Sequence, residues 1–453
     1  MGIFAFILFF ILGFALVNRF ANTLSIIEKI GFSFPIGLGL VTVLMFLLDI
    51  SKVGITIAPI LLGVIILIIL FGYPLFKTTR LYWIDSFKLL NIKYSFGWFF
   101  LIGFIIYLLY GITSKGLYWP PAEHDSLTGY DLQAKMIANE GTFVTSQFDY
   151  PYNSTYDLAR FIYPPLSSAG FALAYIFGFD NSKITVILLF YSLLISFYGL
   201  IRKSINDTWA LLFTFFMMIT PEMFSHASLS LTNLPNTVYT SISVICLYYW
   251  LISNDKSYFI ISLSCMFLSN WSRSDSIVFV IATLAVILFF NLKNIQWKNI
   301  IIYGVISIIP FIVWGLFIKM NIGANSSDFF VKTLFWDSQK MSEILSKCMV
   351  IVLGNGVYYG ITFFVFVAIA GLNVVDIFQT RNPVAMFIFI AWMGYTLLYY
   401  QIDYNFAGSI DAYINASYKR GMFNFVPLCW FFIGTSPFSI KWLGKADMFF
   451  NKN

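Results

Sequence analysis

SFGWFFLIGFIIYLLYGI, residues 95–112, runs directly into TSKGLYWPPAEHDSLTGYDLQAKMIANEGTFVTSQFDYPYNSTYDLARFIYPP, residues 113–165. The first run has no charged side chain, whereas the second holds six of the 21 carboxylates of the chain and His124, one of its two histidines. Ionisable groups are costly near hydrocarbon and tend to be kept there for function. This contrast predicts an all-α polytopic membrane protein that does its chemistry in one large polar loop.

The composition of the whole chain supports this class. Hydrophobic residues make up 59% and charged residues 11%, whereas a soluble domain is about 25% charged. The lysines and arginines behind the net charge of +6 are scattered through short loops, as is typical of cytoplasmic anchors. We therefore expect a lipid bilayer and no nucleic acid as partner. The four cysteines lie in or beside apolar runs without a pairing pattern, which favours packing roles.

A membrane span needs about twenty apolar residues. On that basis we predict about thirteen membrane-spanning helices, near residues 3–17, 32–49, 54–76, 95–112, 183–201, 207–220, 235–252, 257–270, 276–291, 299–318, 347–371, 384–400 and 423–436. They form a single integral-membrane domain, 1–453, in which the N-terminal helices (1–112) precede the external loop (113–165) and a helical core (166–453).

Basic residues set the predicted orientation, because they are enriched in cytoplasmic loops. They cluster before residue 95 and near the C-terminus, which places the loop 113–165 outside, together with 221–234, 271–275, 319–346 and 401–422. Residues 165–179 are apolar but reach only about 22 Å as a helix. Counting them as a span would reverse the later segments, so we predict an interfacial or re-entrant helix there.

The polar loop has a helical pattern over residues 125–140. One predicted face carries Leu127, Tyr130, Ala134 and Ile137, and the other carries Asp131, Lys135 and Glu140. Gly141 is a plausible C-cap. The loop returns to the bilayer through an aromatic and proline-rich segment that ends in Tyr163-Pro164-Pro165-Leu166.

These residues resemble the first external loop of the GT-C superfamily of glycosyltransferases, with the matching positions Asp125, Tyr130, Ala134-Lys135, Gly141 and Tyr163-Pro164-Pro165-Leu166. Three later motifs also follow the order found in that superfamily. They are Leu231-Thr232-Asn233-Leu234-Pro235, Trp271-Ser272-Arg273-Ser274-Asp275, and Ser417-Tyr418-Lys419-Arg420 with Pro427. Asn233 departs from the pattern, because an acid is usual there.

The resemblance implies a GT-C-like integral-membrane enzyme that moves a sugar from a polyprenyl phosphate to a glycolipid, polysaccharide or protein acceptor. It also implies a bacterial inner or plasma membrane with an extracytoplasmic active site. Such chemistry needs a carboxylate to accept the acceptor proton, cations for the donor phosphate and an apolar groove for the lipid. The catalytic candidates are Asp125, Glu123 and Asp131; the phosphate candidates are Arg420, Arg273, Lys135, Arg160 and Lys419; the other substrate candidates are His124, Tyr163, Asp275 and Asn233.

Each candidate has a structural alternative. Asp125 could cap the following helix, Asp131 and Lys135 could form a surface pair at i,i+4, and Arg273 and Asp275 could neutralise each other. Glu123 and His124 could be solvated loop residues, His226 a solvated loop or interface residue, and Arg160 a membrane-surface anchor.

Metal binding and other function classes also stay open. Two histidines in separate loops do not favour zinc, whereas Mg²⁺ or Mn²⁺ on Asp125 and other acids is an open alternative. The rival functions are a transporter or flippase of lipid-linked sugars, which would carry inverted repeats and broken helices, and an O-antigen ligase or polymerase, whose functional arginines would lie in a late loop.

Overall fold

The structure is a computed structural model of the chain. It describes residues 2–88, 96–149, 163–290, 292, 296–322, 336–354, 356–380, 382–402, 404 and 409–450. All regular secondary structure within these ranges is helical, as the sequence predicts.

Among its described residues, the first half of the chain contains seven α-helices and two short helical turns. The α-helices are α1 (Gly2–Phe20), α2 (Ile26–Ile50), α3 (Ile57–Lys88), α4 (Phe96–Tyr118), α5 (Asp131–Glu140), α6 (Leu166–Ile176) and α7 (Lys183–Ile201). A π-helical turn (Ser126–Tyr130) precedes α5, and a 3-10 turn (Ser146–Asp149) follows it. Because α4 continues to Tyr118, the polar loop begins six residues later than predicted.

The second half contains fourteen further α-helices within the described residues. They are α8 (Asp207–Ile219), α9 (Pro221–His226), α10 (Asn233–Ser253), α11 (Lys256–Ser272), α12 (Ile277–Phe290), α13 (Trp297–Asn321), α14 (Ser338–Met349), α15 (Gly356–Tyr359), α16 (Thr362–Leu372), α17 (Val374–Thr380), α18 (Pro383–Tyr400), α19 (Ile410–Met422), α20 (Val426–Thr435) and α21 (Pro437–Phe450). The predicted loop 319–346 is therefore helical at both ends, and its middle, 323–335, lies outside the described residues.

Six described helices are long and apolar enough to cross a membrane, namely α1, α2, α4, α7, α13 and α18. Two bent helix pairs raise this number to eight if each pair forms one span. Other predicted spans are shorter, such as α8 with 13 residues and α11 with 17. The chain is thus a helical membrane protein, and the total of about thirteen spans stays a prediction.

The polar segments predicted to lie on one side of the membrane meet at one end of the helix bundle, which we call the loop end. There the Ile55 N–H donates to the Gly141 carbonyl at 2.8 Å, and the Phe143 N–H donates to Asp49 Oδ2 at 3.0 Å. The Gly141 backbone has φ +71° and ends α5 in the left-handed conformation, which confirms the predicted C-cap.

Helix α6 has eleven residues and packs against α5 of the polar loop. Near its start, the Ser168 hydroxyl donates to Gln133 Oε1 at 2.9 Å, and near its other end the Tyr175 hydroxyl donates to Asp131 Oδ1 at 2.6 Å. Both ends of α6 therefore contact α5 at the loop end. Nine of its eleven residues are buried, and the interfacial or re-entrant interpretation of residues 165–179 stays a prediction.

The predicted two-faced helix over residues 125–140 is wrong in two details. The π-helical turn before α5 changes the helical phase, so Leu127 is exposed although Tyr130, Ala134 and Ile137 are buried as predicted. Asp131 was predicted on the solvent face, but its side chain is only 1% exposed because α6 packs over it.

Candidate functional site

Asp125 and Arg420 form an ion pair at the loop end, although 295 residues separate them in sequence. Asp125 immediately precedes the π-helical turn, and Arg420 lies in the last turn of α19. The contact uses Nη1 of Arg420, and the exposed fractions of the two side chains are 16% for Asp125 and 38% for Arg420. The pair is therefore partly exposed, mainly on the Arg420 side.

The alternative that Asp125 caps the following helix is wrong. Its side chain makes no capping hydrogen bond, and its backbone is helical, with φ −65° and ψ −26°. A capping side chain normally extends from a residue in the β region. The Asp125 carboxylate is held by Arg420 instead.

Lys419 lies next to Arg420 and contacts a second acid, Glu222. The Lys419 ammonium is 3.9 Å from Glu222 Oε1 and 4.6 Å from the centre of the Tyr358 ring. His226 Nε2 lies 3.0 Å from Glu222 Oε2, one helical turn along α9. Burial raises the pKa of the Glu222 carboxyl, but the His226 contact and the charges of Lys419 and Arg420 hold that pKa below its ordinary value.

Glu222 and His226 are members of the site that the sequence analysis did not identify. Of the two predicted alternatives for His226, a solvated loop residue or an interface residue, the first is wrong, because its side chain is only 7% exposed and its ring packs 4.8 Å from that of Phe423. The available signal was the i,i+4 spacing of an acid and a histidine just after Pro221, which opens α9.

Glu123 and His124 border the Asp125–Arg420 pair. Glu123 Oε1 lies 3.8 Å from Lys183 Nζ, and that ammonium also donates to the Pro120 carbonyl at 3.0 Å. His124 is 75% exposed, with Nδ1 3.8 Å from Asp125 Oδ1. Glu123 therefore ties the start of the loop to α7, while His124 remains a solvated residue beside the carboxylate.

Asp131 stabilises the packing of α5 against α6. Its Oδ1 accepts hydrogen bonds from the hydroxyls of Tyr175 at 2.6 Å and Ser182 at 2.5 Å, and its Oδ2 lies 3.1 Å from Lys135 Nζ. The predicted Asp131–Lys135 pair thus forms, but its acid is buried and its base is half exposed. These contacts leave little access for a substrate to Asp131.

Arg273 and Asp275 form a bidentate ion pair and neutralise each other. Arg273 Nε and Nη2 each donate to the Asp275 carboxylate at 2.9 Å, and Nη1 donates to Thr232 Oγ1 at 3.0 Å and Asn233 Oδ1 at 2.8 Å. Four of the five guanidinium donors are therefore used within the protein. Burial raises the pKa of the Asp275 carboxyl, but Arg273 and the Tyr395 hydroxyl hold it below its ordinary value.

Tyr130 lies between the two ion pairs. Its ring meets that of Tyr163 edge-on at 5.4 Å, and the Arg273 guanidinium lies 5.4 Å from the Tyr163 ring centre. Burial is the main cause that raises the pKa of the Tyr130 hydroxyl, and the nearby Tyr163 and Asp125 add to the effect. Tyr130 is therefore close enough to both Asp125 and Arg273 to be affected by their charges.

Arg160 lies outside the described residues, so its predicted phosphate contact has no structural counterpart. Within the described ranges, no group of three or more histidine, cysteine, aspartate or glutamate residues is placed to hold a metal ion. The Asp125 carboxylate is already paired with a cation, an arrangement that does not suit a divalent ligand site. All four cysteines are free and buried, as expected.

Comparison with known proteins adds no relative: no protein-family model, curated protein or solved structure matches the chain.

Proposed function

We propose that the chain is a GT-C-like glycosyltransferase that moves a sugar from a polyprenyl phosphate to an acceptor on the extracytoplasmic side of the membrane. The observation that carries the proposal is the Asp125–Arg420 ion pair. This pair brings together the predicted general base, Asp125, and the predicted phosphate-binding cation, Arg420. About thirteen spans and a bacterial inner or plasma membrane belong to the same proposal.

In this mechanism the acceptor hydroxyl oxygen attacks the anomeric carbon of the donor sugar. The new carbon–oxygen bond forms as the bond from that carbon to the phosphate oxygen breaks, and the bonding electron pair leaves with the phosphate. Asp125 accepts the hydroxyl proton as general base, a role worth about 10²–10⁴ in rate.

Arg420 and Lys419 stabilise the phosphate, which gains negative charge as it leaves. Of the predicted phosphate-binding arginines within the described residues, Arg420 is better placed than Arg273, because its Asp125 contact uses one guanidinium nitrogen and its side chain is 38% exposed. Arg273 is 12% exposed and has committed four donors. We therefore assign the phosphate contact to Arg420 and a structural role to Arg273.

The test is a transfer assay with purified protein in liposomes. A polyprenyl phosphate carrying a tritium-labelled hexose is supplied together with a membrane extract as acceptor source. Wild type should release the label from the lipid, and Arg420→Gln should reduce the rate at low donor concentration. Movement of intact labelled lipid between leaflets without cleavage would instead identify a flippase and refute the proposal.

A further inference from the structure

Glu222 and His226 form a pair whose geometry points toward Lys419. The histidine reaches Glu222 through Nε2 at 3.0 Å, and the other carboxylate oxygen of Glu222 faces the Lys419 ammonium at 3.9 Å. The carboxylate therefore bridges a histidine on α9 and a lysine on α19. Neither the fold nor the proposed base explains why these three groups meet beside Arg420.

His226 fixes one oxygen of the Glu222 carboxylate. Its Nε2 lies 3.0 Å from Glu222 Oε2, and its side chain is only 7% exposed, with the ring packed against Phe423. This contact holds the Glu222 side chain so that its other carboxylate oxygen faces Lys419.

The Glu222 carboxylate orients the Lys419 ammonium but leaves its N–H donors available for other contacts. The 3.9 Å separation from Glu222 is longer than a hydrogen bond, so this contact orients the ammonium and does not use its three donors. The Tyr358 ring faces the same ammonium at 4.6 Å, a cation–π arrangement. The side chain remains 28% exposed.

We propose that Glu222, oriented by His226, is a positioning residue that holds Lys419 beside Arg420, so that the two cations form one clamp for the donor phosphate. This inference rests on the proposed function, because it specifies how that function binds its anionic substrate. Two adjacent cations held by carboxylates from separate segments, Asp125 and Glu222, offer a phosphate two contacts at once.

The test measures the affinity for farnesyl phosphate, a short polyprenyl phosphate, of the full-length protein in lipid nanodiscs. Glu222→Gln should weaken binding by about threefold to tenfold, which corresponds to about 0.7–1.4 kcal/mol. The same substitution in a Lys419→Gln background should have no further effect, because a positioning residue acts only through the group that it positions. An equal loss in both backgrounds, or no loss in either, would overturn the inference.

His226 provides an independent arm. His226→Phe keeps a ring against Phe423 but removes the donor to Glu222, and should weaken binding about as much as Glu222→Gln. His226→Gln keeps an N–H donor and should restore most of the affinity. If His226→Phe binds as wild type does, the histidine does not position Glu222.

Two controls separate this inference from the proposed function. Asp411→Asn removes another carboxylate of α19 that pairs with a lysine, Lys347, at 2.7 Å, and should leave the affinity unchanged. Arg420→Gln should weaken binding whether or not the inference holds. If Arg420→Gln has no effect, the phosphate site itself is wrong; if only the Glu222 and His226 variants are silent, the positioning role alone fails.

Discussion

The Arg273–Asp275 pair should be a structural element whose loss lowers stability more than substrate binding. Arg273→Gln removes the two guanidinium contacts to Asp275 and the bonds to Thr232 and Asn233. Breaking a buried ion pair from one side costs about 3–5 kcal/mol, because the remaining charge stays buried. Asp275 keeps its Tyr395 hydrogen bond and is 18% exposed, so we expect a loss of about 2–4 kcal/mol in unfolding free energy.

The assay is reversible unfolding in detergent micelles, followed by intrinsic fluorescence, with farnesyl phosphate affinity measured under conditions where the variant is folded. Replacing both partners, as Arg273→Met with Asp275→Leu, should cost less than Arg273→Gln alone, because no charge is left unpaired. Arg420→Gln is the opposite control, with a small stability loss and a large loss of affinity. A fully stable Arg273→Gln variant that no longer binds farnesyl phosphate would refute the structural role.

Three further outcomes are expected. In chemical denaturation, Gly421→Ala should lower the unfolding free energy by about 1–3 kcal/mol, because the added Cβ would lie 2.1 Å from Cε1 of Tyr395. Gly371→Ala is the control and should leave the unfolding free energy unchanged, because no described atom lies within 4 Å of its new Cβ. The fold lowers the pKa of the Asp275 carboxyl, so the stability that this carboxylate contributes is complete above its ordinary pKa of 3.8 and is lost as the pH falls through the lower folded-state value. The melting temperature of Asp275→Asn should therefore fall less steeply with acid than that of wild type. Parallel curves for the two proteins would contradict this expectation. A cysteine at the exposed Ser146 should react with a membrane-impermeant maleimide in intact cells, whereas labelling only after permeabilisation would reverse the predicted orientation.

Features set by local sequence could be predicted. Gly141 tolerates the left-handed backbone that ends α5, whereas the interfacial or re-entrant path of residues 165–179 stays a prediction. The segments predicted to share one side do meet, since Arg420 reaches Asp125. The GT-C resemblance and the sugar donor it implies stay predictions.

Features set by contacts between distant segments could not be predicted. Asp131 has the spacing of a surface residue, and only the packing of α6 buries it. His226 reads as a loop residue because the sequence does not reveal Phe423 against its ring. The use of four Arg273 donors likewise depends on Asn233 and Thr232, which lie about forty residues away. Hydrogen-bond saturation is a tertiary property that composition and periodicity do not encode.

The Asp125→Asn variant separates the proposed role of Asp125 as general base from a structural role. Asparagine keeps the size of the side chain and an oxygen acceptor but cannot take the acceptor proton. Because Asp125 makes no capping hydrogen bond and its partner Arg420 is 38% exposed, the loss of unfolding free energy should be within about 1 kcal/mol.

The decisive measurement is the turnover of Asp125→Asn at saturating donor, with tritium-labelled polyprenyl-phosphate hexose in membrane vesicles that retain their acceptors. We predict a fall of about 10²–10⁴ relative to wild type, with the protein folded and farnesyl phosphate still bound. Near-normal turnover by the folded variant would show that Asp125 is not the general base and would contradict the proposed mechanism.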